Sequence, residues 1–239
     1  MAIRICDMHS HILPGIDDGA QNMEETMQTL REAYQQGIRA IIATPHYYPE
    51  KYETDGVTIQ RLCQQVKERC REEGLGLRLY TGQECFGYSG LVEKLSRGEA
   101  LTIAGSRYVL TEFAPDSPYT QLQQILTQLQ QGGYHPILAH FERYECLERE
   151  ERILELKNRG ILLQMNFGTF LKKKGWFGKT IWQKMMQDGI VDLVGSDCHG
   201  THYRPYHADE AVRWIQKNVD RKVQRQILAT NVQKILRKE

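Results

Sequence analysis

The chain has 239 residues, with 31 lysines and arginines against 30 aspartates and glutamates and a formal net charge of +1, which leaves no basic footprint for nucleic acid. No basic stretch leads into an apolar one near the start, and nowhere do about 18 apolar residues follow one another, so a cytoplasmic protein without membrane insertion is expected. Six cysteines spread through the chain without a CxxC pair fit a reducing compartment.

In chain order, short β-rich runs alternate with amphipathic helical stretches. The run Ile5 to Met8 leads into "CDMHSHILPGIDDG", residues 6 to 19. On a strand, His9 and His11 point to one face, because side chains alternate with period two. By itself that pair reads equally well as two surface histidines in a turn. A helix follows with Met23, Met27, Leu30 and Tyr34 in register, opened by Asn22 with Glu25 in capping-box position and closed by Gly37. The second run, Arg39 to Thr44, is followed by His46. The next helical pattern, Ile59, Leu62, Val66 and Cys70, contains Cys63 and Arg69 in the C-x5-R spacing of cysteine phosphatases. No glycine lies between them to form a phosphate loop, so Cys63 is read as a helix-face residue.

Five more runs complete the series: Leu77 to Thr81, Tyr108 to Phe113, Pro136 to His140, Ile161 to Asn166 and Asp192 to Ser196. A helix of Leu122, Ile125, Leu126 and Leu129 stops at Gly132-Gly133, and Gly160 ends the helix before the sixth run. No linker rich in proline, glycine or serine interrupts the rhythm, so residues 1–239 read as one α/β domain of seven βα units with a parallel sheet. A dinucleotide-binding sheet would place a glycine-rich loop after its first strand, and none follows Met8. Instead a metal- or phosphate-capable residue stands at each strand end: His9 and His11, then His46, Glu84, Glu112, His140 and Asn166, and finally Asp197 with His199. In a (β/α)7 barrel those ends lie on one face, where active sites are built.

Imidazoles mixed with carboxylates and no thiolate cluster favour manganese, iron or zinc. The donors are too many for one ion. They could furnish two or three centres with a carboxylate bridging a pair, an arrangement suited to hydrolysing a phosphate ester. Arg143 in "AHFERY" and Arg204 in "SDCHGTHYRP" follow strand ends that carry donors, and guanidinium forks suit phosphate. For each the bland alternative is a surface salt bridge.

The segments "HSHILPGIDDG", "ATPHY", "GQE", "TEF", "AHFERY" and "SDCH" resemble, in order and spacing, the PHP (polymerase and histidinol phosphatase) superfamily, and within it the bacterial manganese-dependent tyrosine phosphatases of capsular and exopolysaccharide biosynthesis. The resemblance runs from Ile5 to beyond Arg204. It implies a distorted seven-stranded (β/α)7 barrel with the active site at the C-terminal ends of the strands, and three divalent metal ions, manganese first, with iron or zinc as alternatives. It puts His9, His11, Glu84 and Asp197 around one ion, Glu84, Glu112 and His140 around a second, and Asp18, His46 and His199 around a third. Arg143 and Arg204 would bind the substrate phosphate. The implied substrate is a phosphotyrosine protein, an autophosphorylated bacterial tyrosine kinase of polysaccharide export. A histidinol-phosphatase-like enzyme and an exonuclease are the alternatives from the same superfamily. An exonuclease wants a continuous basic, aromatic-studded groove, for which only Lys172 to Lys174 with Trp176 and Phe177 offer material; that lysine run reads as a solvated loop. An inactive metal-binding domain would have lost ligands, and none of the nine is missing.

Several residues stay outside this assignment. Asp17 is read as a loop-shaping residue behind the ligands. Cys85 and Cys198 adjoin proposed ligands but point the other way, into packing. His135 lies at the wrong end of a strand, while His202 and His207 are expected in solvent. Tyr47 and Tyr48 either flank an aromatic leaving group or pack the second loop, and the oligomeric state is left open.

Overall fold

The computed structural model describes residues 5–171, 180–201 and 204–237, and each of the seven β-rich runs contains a strand there. Lys172 to Lys174, Trp176, Phe177 and His202 lie outside the described residues. In order, the elements are β1 (Ile5–Ser10), α1 (Met23–Gln35), β2 (Ile38–Ala43), β3 (His46–Tyr47), α2 (Gly56–Glu72), β4 (Arg78–Thr81), β5 (Glu84–Phe86), α3 (Leu91–Ser96) and β6 (Tyr108–Glu112). Then come α4 (Tyr119–Gln131), β7 (His135–Leu138), α5 (Glu150–Asn158), β8 (Leu162–Asn166), α6 (Ile181–Gln187), β9 (Leu193–Gly195), α7 (Ala208–Asn218), α8 (Arg221–Arg225) and α9 (Asn231–Arg237).

Local signals set the helix ends. Asn22 caps α1 by accepting the Glu25 N–H, although the Glu25 carboxylate reaches back to the N–H of Gln21 rather than of Asn22, one residue off the reciprocal box. Asp55 caps α2 through the Thr58 N–H. Cys63 sits inside α2 and is buried in the core, where its backbone N–H is spent on the helix and burial pushes its thiol up. The C-x5-R spacing is therefore a feature of a helix face.

All strand pairs are parallel. They do not form the distorted seven-stranded barrel that the resemblance implies. After a break in the ladder, the second and third runs are each followed by a further short strand, β3 and β5, and the strands sort into a three-stranded sheet, β1-β2-β4, and a six-stranded curled sheet open at its edges, β3-β5-β6-β7-β8-β9. The first break falls at Thr44-Pro45, where proline has no N–H for the ladder; the second falls at Gly82-Gln83. Bonds from Gly82 N to Ala43 O and from Glu84 N to Pro45 O carry the two chains past the breaks together. Across the other seam, the backbone of β1 meets the residues after β9 through Asp197 N to His9 O, His11 N to Cys198 O and one bridge between Ser10 and Cys198.

Alternation divides the apolar residues between two clusters. Ile41, Leu138, Leu163 and Val194 pack outward with helix residues such as Met27 and Leu126. Cys6, Met8, Ile42, Leu110, Ile137 and Leu193 fill the inside of the curl together with Val232 and Ile235 of α9. With the inside filled by apolar side chains and α9, the polar residues at the strands' C-terminal ends are left to form the site.

Candidate metal centre

Strand geometry delivers the donors to one place. Glu112 shares the inner face of β6 with Leu110, and Gln164 and Asn166 share that of β8 with Leu162, by simple alternation. β1 is different: three steps from Asp7 to Ser10 stand against two from Ile41 to Ala43 in β2. One extra residue re-phases the strand. Met8 therefore packs inside the curl while His9, its neighbour, aims its ring at the site. His140 and Asp197 leave their strands in the left-handed region, at φ 29° and 53°, conformations that cost about 1–3 kcal/mol each and persist only where surrounding bonds hold them. Gln164 Oε1 accepts the His140 N–H at 2.9 Å, and His9 O accepts that of Asp197 at 2.8 Å.

Among the described residues three sets of donor atoms gather, each within 4.8 Å: His9, His11, Glu84 and Asp197; His11, Asp18, His46 and His199; and His46, Glu84 and Glu112. The first set is the one the resemblance implies for the first ion. The second adds His11 to the expected Asp18, His46 and His199. The third has His46 where His140 was expected, yet His140 Nε2 lies 2.9 Å from Glu84 Oε1 and 3.9 Å from Glu112 Oε2. All nine expected donors thus converge, with His46 between two sets.

Hydrogen bonds behind the rings orient them. His9 Nδ1 donates to Gln164 Oε1 at 3.0 Å, His11 Nδ1 to Asp17 Oδ2 at 2.8 Å, and His199 Nδ1 to the carbonyl of Asp197 at 2.9 Å. Each acceptor places a proton on Nδ1 and turns Nε2 towards the cluster, the arrangement that supporting bonds produce in metal sites. Glu84 Oε2 is ringed by His9 Nε2 at 3.1 Å, His46 Nδ1 at 3.1 Å and His11 Nε2 at 3.3 Å, yet it is buried without a hydrogen-bonding partner among the described residues, as is His46 Nδ1. Buried polar atoms are seldom left so. Two ring nitrogens, His9 Nε2 and His11 Nε2, also stand 3.1 Å apart. A cation set among them relieves all of these contacts, so the donor set fits divalent metal.

The charges are strongly coupled. Burial would raise the Glu84 carboxyl, but His9, His11, His140 and His46 hold it well below the usual range. Burial likewise opposes ionisation of Asp197, which His9, His140 and Arg143 keep ionised far into acid. Burial would lower His11, but Asp17 and Glu84 outweigh it and hold the imidazole up at about 10. Both arginines reach this centre through Asp197: Arg143 Nη2 lies 2.5 Å and Arg204 Nη1 3.4 Å from Oδ2, each side chain one-third exposed. They border a cavity of about 650 Å³ beside the cluster.

Other residues take the following places. Asp17 accepts from His11, from the Gly19 N–H and from the His46 N–H at 2.8, 3.0 and 3.1 Å, tying the "DDG" loop to two donor segments. Cys85 and Cys198 are buried, with burial pushing both thiols up. His135 and His207 are exposed. Tyr47 is buried, whereas Tyr48 lies on Phe86 with ring centroids 4.2 Å apart. Sequence reasoning passed over Asp7 and Gln164. Asp7 accepts from Ser196 Oγ at 2.6 Å, from Ser196 N at 2.8 Å and from His9 N at 3.2 Å, and burial raises it to about 6 despite these bonds. The available signal was a lone acid inside an otherwise apolar run.

The family model for capsular polysaccharide synthesis, CpsB/CapC, matches residues 5–237. The tyrosine-protein phosphatase CpsB of Streptococcus pneumoniae is 33% identical over 236 residues, covering 96% of this chain and 97% of its own. The tyrosine-protein phosphatase YwqE of Bacillus subtilis (strain 168) is 31% identical over 215 residues, covering 88% and 84%. A crystal structure from work on YwqE and CpsB, there called unique metal-dependent tyrosine phosphatases, superposes with a TM-score of 0.89 at 28% identity, covering 98% of this chain and 95% of that one.

Proposed function

The chain belongs to the CpsB/CapC family of capsular polysaccharide synthesis, and from that membership together with the clustered donors we infer that it is a metal-dependent protein-tyrosine phosphatase. The observation that carries the chemistry is Glu84, a fully buried carboxylate with one oxygen among three imidazoles and the other on His140.

In this reading three divalent ions, manganese first, would be held by His9, His11, Glu84 and Asp197; by Glu84, Glu112 and His140; and by Asp18, His46 and His199, Glu84 serving the first two. Bound there, the ions would supply Lewis acidity that lowers the pKa of a water and positive charge that offsets the phosphoryl oxygens. The chain's own residues do the rest. Gln164, Asp17 and the Asp197 carbonyl fix the ring orientations of His9, His11 and His199. Arg143 and Arg204 present guanidinium N–H groups at the rim and would grip the phosphate oxygens, stabilising charge as the ester bond breaks. Asn166, which donates to Asp197 Oδ2 at 3.0 Å, keeps that carboxylate aligned between the donors and the arginines. A phenolate leaving group has a conjugate acid of pKa ~10, so departure needs no strong general acid, and no side chain is assigned that role. Tyrosine and inorganic phosphate are the products.

The substrate in this reading is an autophosphorylated tyrosine kinase of capsule or exopolysaccharide export, met in the cytoplasm; no helix among the described residues is long and apolar enough to cross a membrane. The deciding experiment compares turnover of a phosphotyrosine peptide with that of histidinol phosphate by the manganese-loaded protein. The peptide is expected to give the higher kcat/KM. Preference for histidinol phosphate would move the protein to the small-molecule reading.

A further inference from the structure

Resting on the phosphatase reading, we propose that the cavity beside Arg143 and Arg204 seats the phenyl ring of the substrate phosphotyrosine, against a wall made by Trp182, Ile181 and Pro205, and that Tyr48 takes no part. The cavity holds about 650 Å³, inside the ~300–1,000 Å³ range of small-ligand sites, and a phosphate alone leaves most of it empty. Both arginines of the cluster line it, so a phosphate gripped between them directs the rest of its ester into this space. The apolar wall is where a ring gains most by leaving water. Trp182 is fixed there by an edge-on contact with Phe141, centroids 5.7 Å apart at 84°, and the exposed side chain of Ile181 borders the same cavity. The floor is preformed: Glu142 Oε1 accepts from Asn166 N at 2.9 Å and from Thr169 Oγ1 at 2.8 Å, bracing the loop after β8.

The aromatic residues on the far side of the donors offer less. Tyr48 is occupied by Phe86, and the Tyr52 ring stacks on His46 at 14°. Neither residue lines the cavity that the arginines border.

The test measures KM and kcat of the manganese-loaded protein for a phosphotyrosine peptide and a phosphoserine peptide, with the inhibition constant of inorganic phosphate and the metal content, in Trp182→Ala, Trp182→Phe, Ile181→Ser and Tyr48→Ala. Trp182→Ala should raise KM for the phosphotyrosine peptide about tenfold, equal to ~1.4 kcal/mol, while phosphate inhibition, metal content and phosphoserine turnover stay unchanged. Trp182→Phe should restore most of the loss. Ile181→Ser should act in the same direction by a smaller factor, and its exposed position keeps the test open if Trp182→Ala fails to fold. An unchanged KM in both Trp182→Ala and Ile181→Ser, or a rise in Tyr48→Ala instead, overturns the proposal. Binding of a phosphonomethyl-phenylalanine peptide separates the two levels. If that binding depends on Trp182 while no ester is turned over, the phosphatase reading fails and the ring pocket stands. If phosphotyrosine is turned over with no dependence on Trp182, the phosphatase reading stands and the ring pocket fails.

Discussion

Glu84 stands where the donor sets meet, and its removal tests the cluster directly. Taking away a bridging carboxylate leaves imidazoles and carboxylates without their shared partner, so Glu84→Ala should bind fewer ions per chain by elemental analysis and lose measurable turnover. A variant with wild-type metal content and rate would remove the bridged pair. Arg143 makes a different prediction, because among the described residues its bond to the donors is the one to Asp197. Arg143→Lys keeps the charge and loses the planar fork; kcat should fall about a hundredfold, near 3 kcal/mol in the barrier, with metal content and melting temperature retained. Unchanged kinetics with a lowered melting temperature would return Arg143 to a structural ion pair. At this scale the sequence was readable wherever a donor ends a strand. Asp7 and Gln164 were not readable, because their worth lies in partners 189 and 155 residues away, Ser196 and His9.

Among the elements, β1 and β9 set the tolerance of the site. They share few ladder bonds, and Gly195 closes the gap: a Cβ placed there would lie 2.7 Å from His9 Cβ and 3.1 Å from His9 N. Gly195→Ala must therefore push β1 away and carry His9 off its place opposite Glu84. The expected result is weaker metal binding and a lower kcat in a chain that still folds, with the metal titration showing it first; unaltered affinity would mean that the seam yields without moving His9. Gly19 serves the "DDG" loop in the same way, since a Cβ there would meet His11 O at 2.2 Å. The seven strand runs and helices α1, α2, α4 and α5 were legible from periodicity and caps, but the short strands β3 and β5, the extra residue in β1 and the breaks at Thr44-Pro45 and Gly82-Gln83 were not. A bulge is defined by the partner strand's register, which no local pattern contains.

For the molecule as a whole, the cluster links metal, protons and stability. Without metal, His11 titrates at about 10 against a usual 6.5. The folded state then holds this proton more tightly than the unfolded one, so its stabilising contribution is complete below about pH 6.5 and is lost as pH rises towards 10. Metal requires the neutral ring. Chelator-treated protein should accordingly lose melting temperature between pH 7 and pH 10, the manganese-loaded protein much less, and metal uptake near neutral pH should release protons measurable by calorimetry in buffers of different ionisation enthalpy. Equal pH dependence with and without metal would place the imidazoles outside the binding site.

The sequence by itself determined the alternation of strands and helices, the placement of donors after the β-rich runs, and the rejection of Cys63 as a nucleophile, because each rests on period, cap or spacing within one segment. Tertiary structure alone decided how the strands close and which donors share a centre. It drew His46 between two sets and left Tyr48 on Phe86 instead of at the arginines. The reason is physical: the β1 bulge is set by its register against β2, and the approach of Gly195 to His9 brings together residues from the two ends of the chain. A shift of one residue in that register would turn the same side chains away from one another.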